Sequence, residues 1–419
     1  MKEKRNPWAW IPTLYFAEGL PYVAVMTISV IMYKRLGVSN TDIALYTSWL
    51  YLPWVIKPLW SPFVDLIKTK RWWVYSMQLL IGAGMAGIAF TIPTTFFFQA
   101  SLAFFWLMAF SSATHDIAAD GFYMLGLSTD EQAFFIGIRN TFYRIAMLTG
   151  QGLLVMFAGF LETSTGRIPY AWSITFFVLA GIFIAASAWH RFILPYPAED
   201  KQRSGVTANS ILVEFGRTFV DFFRKPGIVP ALLFMLTYRL GESQLVKMAS
   251  PFLLDGKEVG GLGLSTARVG FTYGTVGVVS LMVGGILGGF AIAKGGLKKW
   301  IWPMALCLFI PHLVYLYLSF AMPDNLWIIN TCVGFEQFGY GFGFTAYTMF
   351  LMLFSDGEYK TSHYAICTGF MALGMMLPGM VSGYIQELIG YQSFFIWVLI
   401  SGLPIFFVLP FLNIKSKTN

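Results

Sequence analysis

Nine ionisable side chains lie inside long apolar runs of this chain: Glu18, Asp116, Asp120, Arg139, Arg144, Arg239, Glu242, Lys247 and Glu336. In a bilayer each costs roughly 2.5 to 3.5 kcal/mol at mid-helix unless it is paired or wetted, so such residues mark ion, proton or substrate pathways. Carboxyls there can be loaded and unloaded by a proton gradient, while Arg and Lys can hold carboxylates or phosphates of a solute, Arg as a planar fork and Lys as a point charge. Five acids and four bases nearly cancel, which also fits a set of structural ion pairs.

Four helical patterns present these groups. In FAEGLPY and the Tyr15 before it, Tyr15, Glu18 and Tyr22 share one face, and Gly19 and Pro21 weaken the backbone ladder where it could line a cavity. Glu18 has no local basic partner and reads either as a proton-exchanging group or as a hydrogen-bonded brace. In TYRLGESQLVKMASP, Tyr238, Arg239, Glu242 and Lys247 spread over a broad face and offer either a solute site or an internal network. In EQFGYGFGFTAY, Glu336, Tyr340, Gly343 and Tyr347 align with Gln337 beside them. The tyrosines suit sugar rings or peptide groups, or form an aromatic core stripe, and the glycines suit close helix packing. Finally, antiparallel runs joined near residue 130 place Asp116 level with Arg144 and Asp120 level with Arg139, as two stacked pairs. His115 reads as a satisfied histidine, and His312 and His363 carry less information still.

The elements that position these residues follow from composition. The chain has 419 residues, 57% hydrophobic and only 12% charged, which disfavours a water-soluble enzyme. Twelve membrane spans are expected, at 10–33, 42–64, 72–92, 97–125, 133–158, 171–193, 227–254, 266–292, 300–321, 326–354, 362–388 and 393–413. The basic opening MKEKRNPWAWIP leads into the first span rather than a cleaved leader. With both termini inside, about 18 of the 28 Lys and Arg flank the cytoplasmic ends. The net charge of +7 therefore faces anionic lipid, and nucleic acid is not expected as a partner.

Residues 194–226 form a polar linker with a short amphipathic stretch between an N-terminal bundle, 1–193, and a C-terminal bundle, 227–419, of six spans each. Weak echoes support a repeat: Ser61-x-x-x-Asp65 before Lys70-Arg71-Trp72 matches Gly289-x-x-x-Ala293 before Lys298-Lys299-Trp300. Two parallel-related six-helix bundles with a solute site near the midplane resemble the major facilitator superfamily plan. The connection SPFVDLIKTKR resembles that superfamily's loop, which makes Asp65, Lys70 and Arg71 gating candidates, with Arg139 near the cytoplasmic end of the fifth span beside them, against a plain topology-setting charge.

No G-x-x-x-x-G-K-[ST] loop, H-E-x-x-H or G-x-S-x-G motif occurs, and the three cysteines sit in apolar runs. No cofactor, metal or catalytic residue is expected, and the driving force falls to an ion gradient or to the solute itself.

FAEGLPY, WLYLPWVIKPLWSPFVD, SSATHDIAADGFYML, RNTFYRIAMLTGQG and EQFGYGFGFTAY resemble the AmpG muropeptide permease and acetyl-CoA transporter group of that superfamily, over nearly the whole chain. The resemblance implies a proton-driven importer of anhydro-muropeptides in a bacterial inner membrane, serving cell-wall recycling. It maps the group's D-x-x-x-D to Asp116 and Asp120 and its Tyr-Arg to Tyr143 and Arg144. Glu18 stands where the permeases carry a small polar residue, and Phe122-Tyr123 replaces their Trp-Lys, so DIAADGFYML is at least as close to the acetyl-CoA version.

The expected function is secondary active transport of a muropeptide. Glu18, Asp116, Asp120 and Glu336 are the proton-site candidates, and Tyr15, Tyr22, Arg144, Tyr238, Arg239, Glu242, Lys247, Gln337, Tyr340 and Tyr347 the solute-binding candidates. A CoA thioester or effluxed amphiphile is the alternative cargo, and a membrane receptor or transferase the remote alternative.

Overall fold

The computed structural model describes residues 5–201, 208–357 and 359–414, and these are helical with no strand among them. Span 1 is Pro7–Arg35. Span 2 runs over 40–67 with a break at 50–51, and spans 3 and 4 are Lys70–Thr91 and Phe97–Gly126. Span 5 covers 129–165 and span 6 is Ile168–Ile193. After a separate helix, Ala208–Phe223, span 7 covers 228–254, span 8 is Thr266–Gly295, span 9 Leu297–Ala321 and span 10 Leu326–Phe354. The final stretch, Ser362–Phe411, has 50 residues, or about 75 Å of helix at 1.5 Å per residue, and breaks at Gly390 (φ 76°), so it holds spans 11 and 12.

Eight stretches among the described residues are long and apolar enough to cross a membrane, the last of them double. Spans 2 and 7 are missing from those eight because each is broken into two shorter helices, and span 10 because its polar and glycine positions dilute its apolar window. Large apolar side chains outside the core, such as Phe160, Phe192, Phe290 and Phe407, are exposed and need a hydrocarbon solvent.

Helix starts follow local chemistry. Ser39, Thr69 and Asn325 accept from amides of the turns they open, and Ser128 forms a capping box with Glu131. Gly166 ends span 5 in the left-handed conformation (φ 65°), which a side chain would strain.

The chain divides into two compact units, Met1–Met32 with Ile56–Leu212, and Tyr33–Val55 with Val213–Asn419. In the first, a core of Trp10, Tyr15, Phe122, Tyr123 and Phe135 packs span 1 on spans 4 and 5. Gly19 permits that approach: a Cβ there would stand 3.0 Å from the Tyr143 carbonyl and from the Ala146 methyl. In the second unit, Phe222 of the separate helix is buried with Phe234, Tyr238, Tyr347 and Phe350. Gly339 and Gly341 of span 10 press against the backbone carbonyls of Cys307 and Leu281, which joins spans 9 and 8 to it with no room for a side chain.

Candidate functional site

In the first unit, spans 1, 2, 4 and 5 bring three carboxyls and two bases together. Asp120 Oδ1 lies 2.8 Å from Arg139 Nη2 and accepts from the Tyr15 hydroxyl at 3.5 Å. The Arg139 guanidinium covers the Tyr15 ring at 4.5 Å and lies 5.5 Å from that of Tyr123. Asp116 meets Lys57 at 3.5 Å, a cation from span 2 that the local sequence pattern does not connect to it, while Arg144 donates to Met147 Sδ at 3.6 Å. Glu18 is buried within electrostatic reach of Asp120, Asp116, Arg139 and Lys57, and its Oε2 has no hydrogen-bond partner. Tyr143 adjoins this group, within electrostatic reach of Asp116, Glu18 and Tyr22. With everything ionised the cluster would carry one excess negative charge, so one carboxyl is the natural place for an exchangeable proton.

Span 7 does not run as the single helix the sequence suggests: it stops at Thr237 and restarts at Leu240, with Arg239 at φ −111°, ψ 20°. The restart puts Glu242 in a first helical turn, where unsatisfied amides favour an acid. Its Oε2 lies 2.9 Å from His312 Nε2, and Glu242, His312 and Glu336 present ligand atoms within 4.8 Å of one another, all three buried. Gln337 donates to Glu336 Oε2 at 2.9 Å. Such a set of donors could hold a metal ion or exchange protons.

Other expected residues are placed differently. The Tyr238 hydroxyl donates to the Gly343 carbonyl (2.8 Å) and that of Tyr347 to the Met235 carbonyl (2.7 Å), so both serve the core of the second unit. Arg239 donates to the Tyr340 hydroxyl at 2.6 Å and its guanidinium lies 4.9 Å from the Phe344 ring centre. Lys247 is buried, donates to Thr47 Oγ1 at 2.9 Å and sits 5.2 Å from the Tyr51 ring centre, and among the described residues no carboxylate is paired with it.

Two networks were not legible beforehand. Lys34 bonds Asn40 (2.8 Å) and Asp255 (2.7 Å), while Tyr391 accepts from Asn40 (3.0 Å) and donates to Asp255 (2.6 Å), closing a ring. In the first unit a chain runs from the exposed Thr13 to the buried His190, Gln78 and His115, each step 2.8 to 2.9 Å.

Among the gating candidates, the amides of Lys70 and Arg71 donate to Asp200 at 2.7 and 3.0 Å, so Asp200 caps span 3 from the start of the linker. The Arg71 guanidinium reaches the carbonyls of Leu194 (3.3 Å) and Arg191 and covers the Tyr196 ring at 3.9 Å. The side chain of Asp65 lies outside the described residues. Outside the spans, Lys225 donates to the carbonyls of Phe354 (2.7 Å) and Asp356 (2.8 Å), and burial holds its ammonium below the ordinary lysine range.

The family model described as Major Facilitator Superfamily matches residues 13–361. A Rickettsia conorii transporter named AmpG 4 is 26% identical over 415 residues, covering 96% of this chain and 95% of that protein. The anhydromuropeptide permease of Escherichia coli K12 is 24% identical over 404 residues, covering 93% of this chain and 76% of that protein. Among solved structures, the nucleoside transporter NupG superposes with a TM-score of 0.71 at 15% identity, over 97% of this chain and 100% of that one.

Proposed function

We propose that this chain, which belongs to the Major Facilitator Superfamily, imports anhydro-muropeptides through a bacterial inner membrane at the expense of a proton gradient, with both termini in the cytoplasm. Its place among transporters rests on the family and the fold; cargo and coupling are our inference. The cargo is supported by similarity over 93% of the chain to a permease named for anhydromuropeptides. The coupling is supported by buried carboxyl oxygens without hydrogen-bond partners, Glu18 Oε2, Glu242 Oε1 and Glu336 Oε1, in a chain built to stand in lipid.

A secondary transporter needs a group whose charge differs between its two facing states, because only differential proton binding can drive net flux. Glu18 fits this role in the first unit: Asp116 and Asp120 are paired with bases, so the proton that neutralises the cluster falls to Glu18. Lys247 is the anchor for an anionic group of the solute, since a buried ammonium held, among the described residues, by a hydroxyl and an aromatic ring has unused charge to offer. Asp200 and Arg71 fasten the inner end of span 3 to the chain that follows span 6.

Uptake of radiolabelled N-acetylglucosaminyl-anhydro-muramyl-peptide into proteoliposomes, with and without an inward proton gradient, tests this function, beside acetyl-CoA as the competing anionic cargo. Gradient-stimulated accumulation of the muropeptide is the expected result. Flux of acetyl-CoA alone would transfer the site to CoA thioesters, and saturable binding without flux would make the protein a receptor.

A further inference from the structure

We propose that Glu242, His312 and Glu336 act as one proton-binding site of the second unit, with His312 as the base between two carboxyls. The inference deepens the proton-driven reading above and rests on it for its role in transport, though not for the existence of the site.

Three separate local features build the trio. The break at Arg239 starts a new helix that places Glu242 in its first turn. A tight turn over Ile310–His312, with Pro311 inside it, interrupts span 9 at the residue that meets Glu242. Gly339 lets span 10 press on Cys307 and Pro311, which brings Glu336, almost one turn earlier, to the same depth as His312. The result is a 2.9 Å contact between His312 Nε2 and Glu242 Oε2, with Glu336 close enough for the three to meet within 4.8 Å.

The surroundings fix what the site can hold. Glu242 is 0%, Glu336 1% and His312 2% exposed, and Glu242 Oε1, His312 Nδ1 and Glu336 Oε1 lack hydrogen-bond partners. Among the described residues, the imidazole is the one basic group paired with either carboxyl. Tyr273 of span 8 and Tyr315 of span 9 lie within electrostatic reach of both carboxyls, and the buried Tyr315 hydroxyl also lacks a partner. The nearest guanidinium on span 7, that of Arg239, turns to Tyr340 and Phe344.

Two carboxylates and one imidazolium would leave an uncompensated negative charge in a dry interior, which is disfavoured. Neutrality is reached when two protons are added to the neutral imidazole and the two carboxylates, one making the imidazolium and the second staying on a carboxyl. That second proton is shared over partnerless oxygens rather than fixed by a strong donor, so hydration or movement of any of the three helix ends can release it. No other charged group has to move. The first-unit cluster differs, because there two of three carboxyls already have cationic partners.

The test reads the proton directly and needs no cargo. Infrared difference spectra of the purified, lipid-reconstituted full chain are recorded from acid to alkaline pH in H2O and D2O. The expected result is a deuterium-sensitive protonated-carboxyl band present at neutral pH, abolished in Glu242→Gln or Glu336→Gln and displaced in His312→Gln. The same spectra are recorded in Glu18→Gln, which removes the first-unit candidate: a protonated-carboxyl band that persists and titrates there belongs to the second unit, should a trio variant fail to fold, and its loss there would overturn the proposal. Identical bands in all three variants would overturn the proposal. So would stoichiometric binding of added Zn2+ at neutral pH, lost in His312→Gln, by a wild type that shows no protonated-carboxyl band sensitive to Glu242→Gln or Glu336→Gln, since the trio would then be a metal site. If the band behaves as expected while no muropeptide flux is found, the import reading falls and the proton site stands.

Discussion

Arg139 Nη2 stands 2.8 Å from Asp120 Oδ1, and the same guanidinium lies 4.5 Å from the centre of the Tyr15 ring, so one side chain ties spans 5, 4 and 1 together. A planar fork is needed for both contacts at once, because an ammonium at the carboxylate would leave the ring uncovered. The pair is partly open, with Arg139 26% and Asp120 41% exposed at the side chain, so its worth is discounted for solvent screening.

A double-mutant cycle with Arg139→Gln and Asp120→Asn should therefore give a coupling of about 0.5 to 1 kcal/mol in detergent unfolding. Arg139→Lys should recover less than half of it, having lost the ring contact. A coupling indistinguishable from zero would reduce the contact to a crossing of two independent solvated groups.

Glu18 offers the second test. Glutamine keeps its size and one carbonyl oxygen but cannot change charge, so Glu18→Gln should abolish acid-stimulated muropeptide uptake with normal expression and folding. Ordinary acid stimulation in that variant would remove Glu18 from the coupling mechanism and leave it a polar brace.

The rods themselves were legible because apolar runs of membrane length are a strong signal, and the Asp120 with Arg139 contact was legible because two antiparallel helices joined by a short turn set residue depths by arithmetic. Lys57 was not seen as the partner of Asp116, since it arrives from span 2 by packing rather than by sequence spacing. His312 carried one local signal, the proline directly before it in mid-span, which marks a helix break. Asp200 gave none, because it caps a helix 130 residues away. Tyr238 and Tyr347 show the limit of face patterns: tyrosines that end on backbone carbonyls in a core and tyrosines that line a cavity have the same helical spacing.

Glycine placement in spans 8 and 10 predicts a contrast between two positions. A Cβ on Gly341 would collide with the Leu281 carbonyl, whereas one on Gly289 meets nothing within 4 Å. Gly341→Ala should cost about 1 to 3 kcal/mol through forced separation of spans 8 and 10. Gly289→Ala should be neutral or stabilise by up to about 1 kcal/mol through helix propensity. Equal melting temperatures for the two variants would show that the close crossing is not maintained in solution.

Lys247 separates stability from function most directly. Its ammonium is buried against Thr47 and Tyr51 with no paired carboxylate among the described residues, an arrangement that costs more than an apolar side chain of similar length would. Lys247→Met should therefore raise the unfolding temperature, because methionine fills the same space without a charge to desolvate. If the lysine is kept to hold an anionic group of the cargo, the same change should weaken cargo binding by about tenfold or more, the value of one charge-assisted hydrogen bond of roughly 1.5 to 3 kcal/mol. Measured side by side, a more stable protein with poorer affinity identifies Lys247 as a binding residue held at the expense of stability. A more stable protein that binds as before would leave Lys247 without a role in recognition, and the anion site would have to be sought around Arg239.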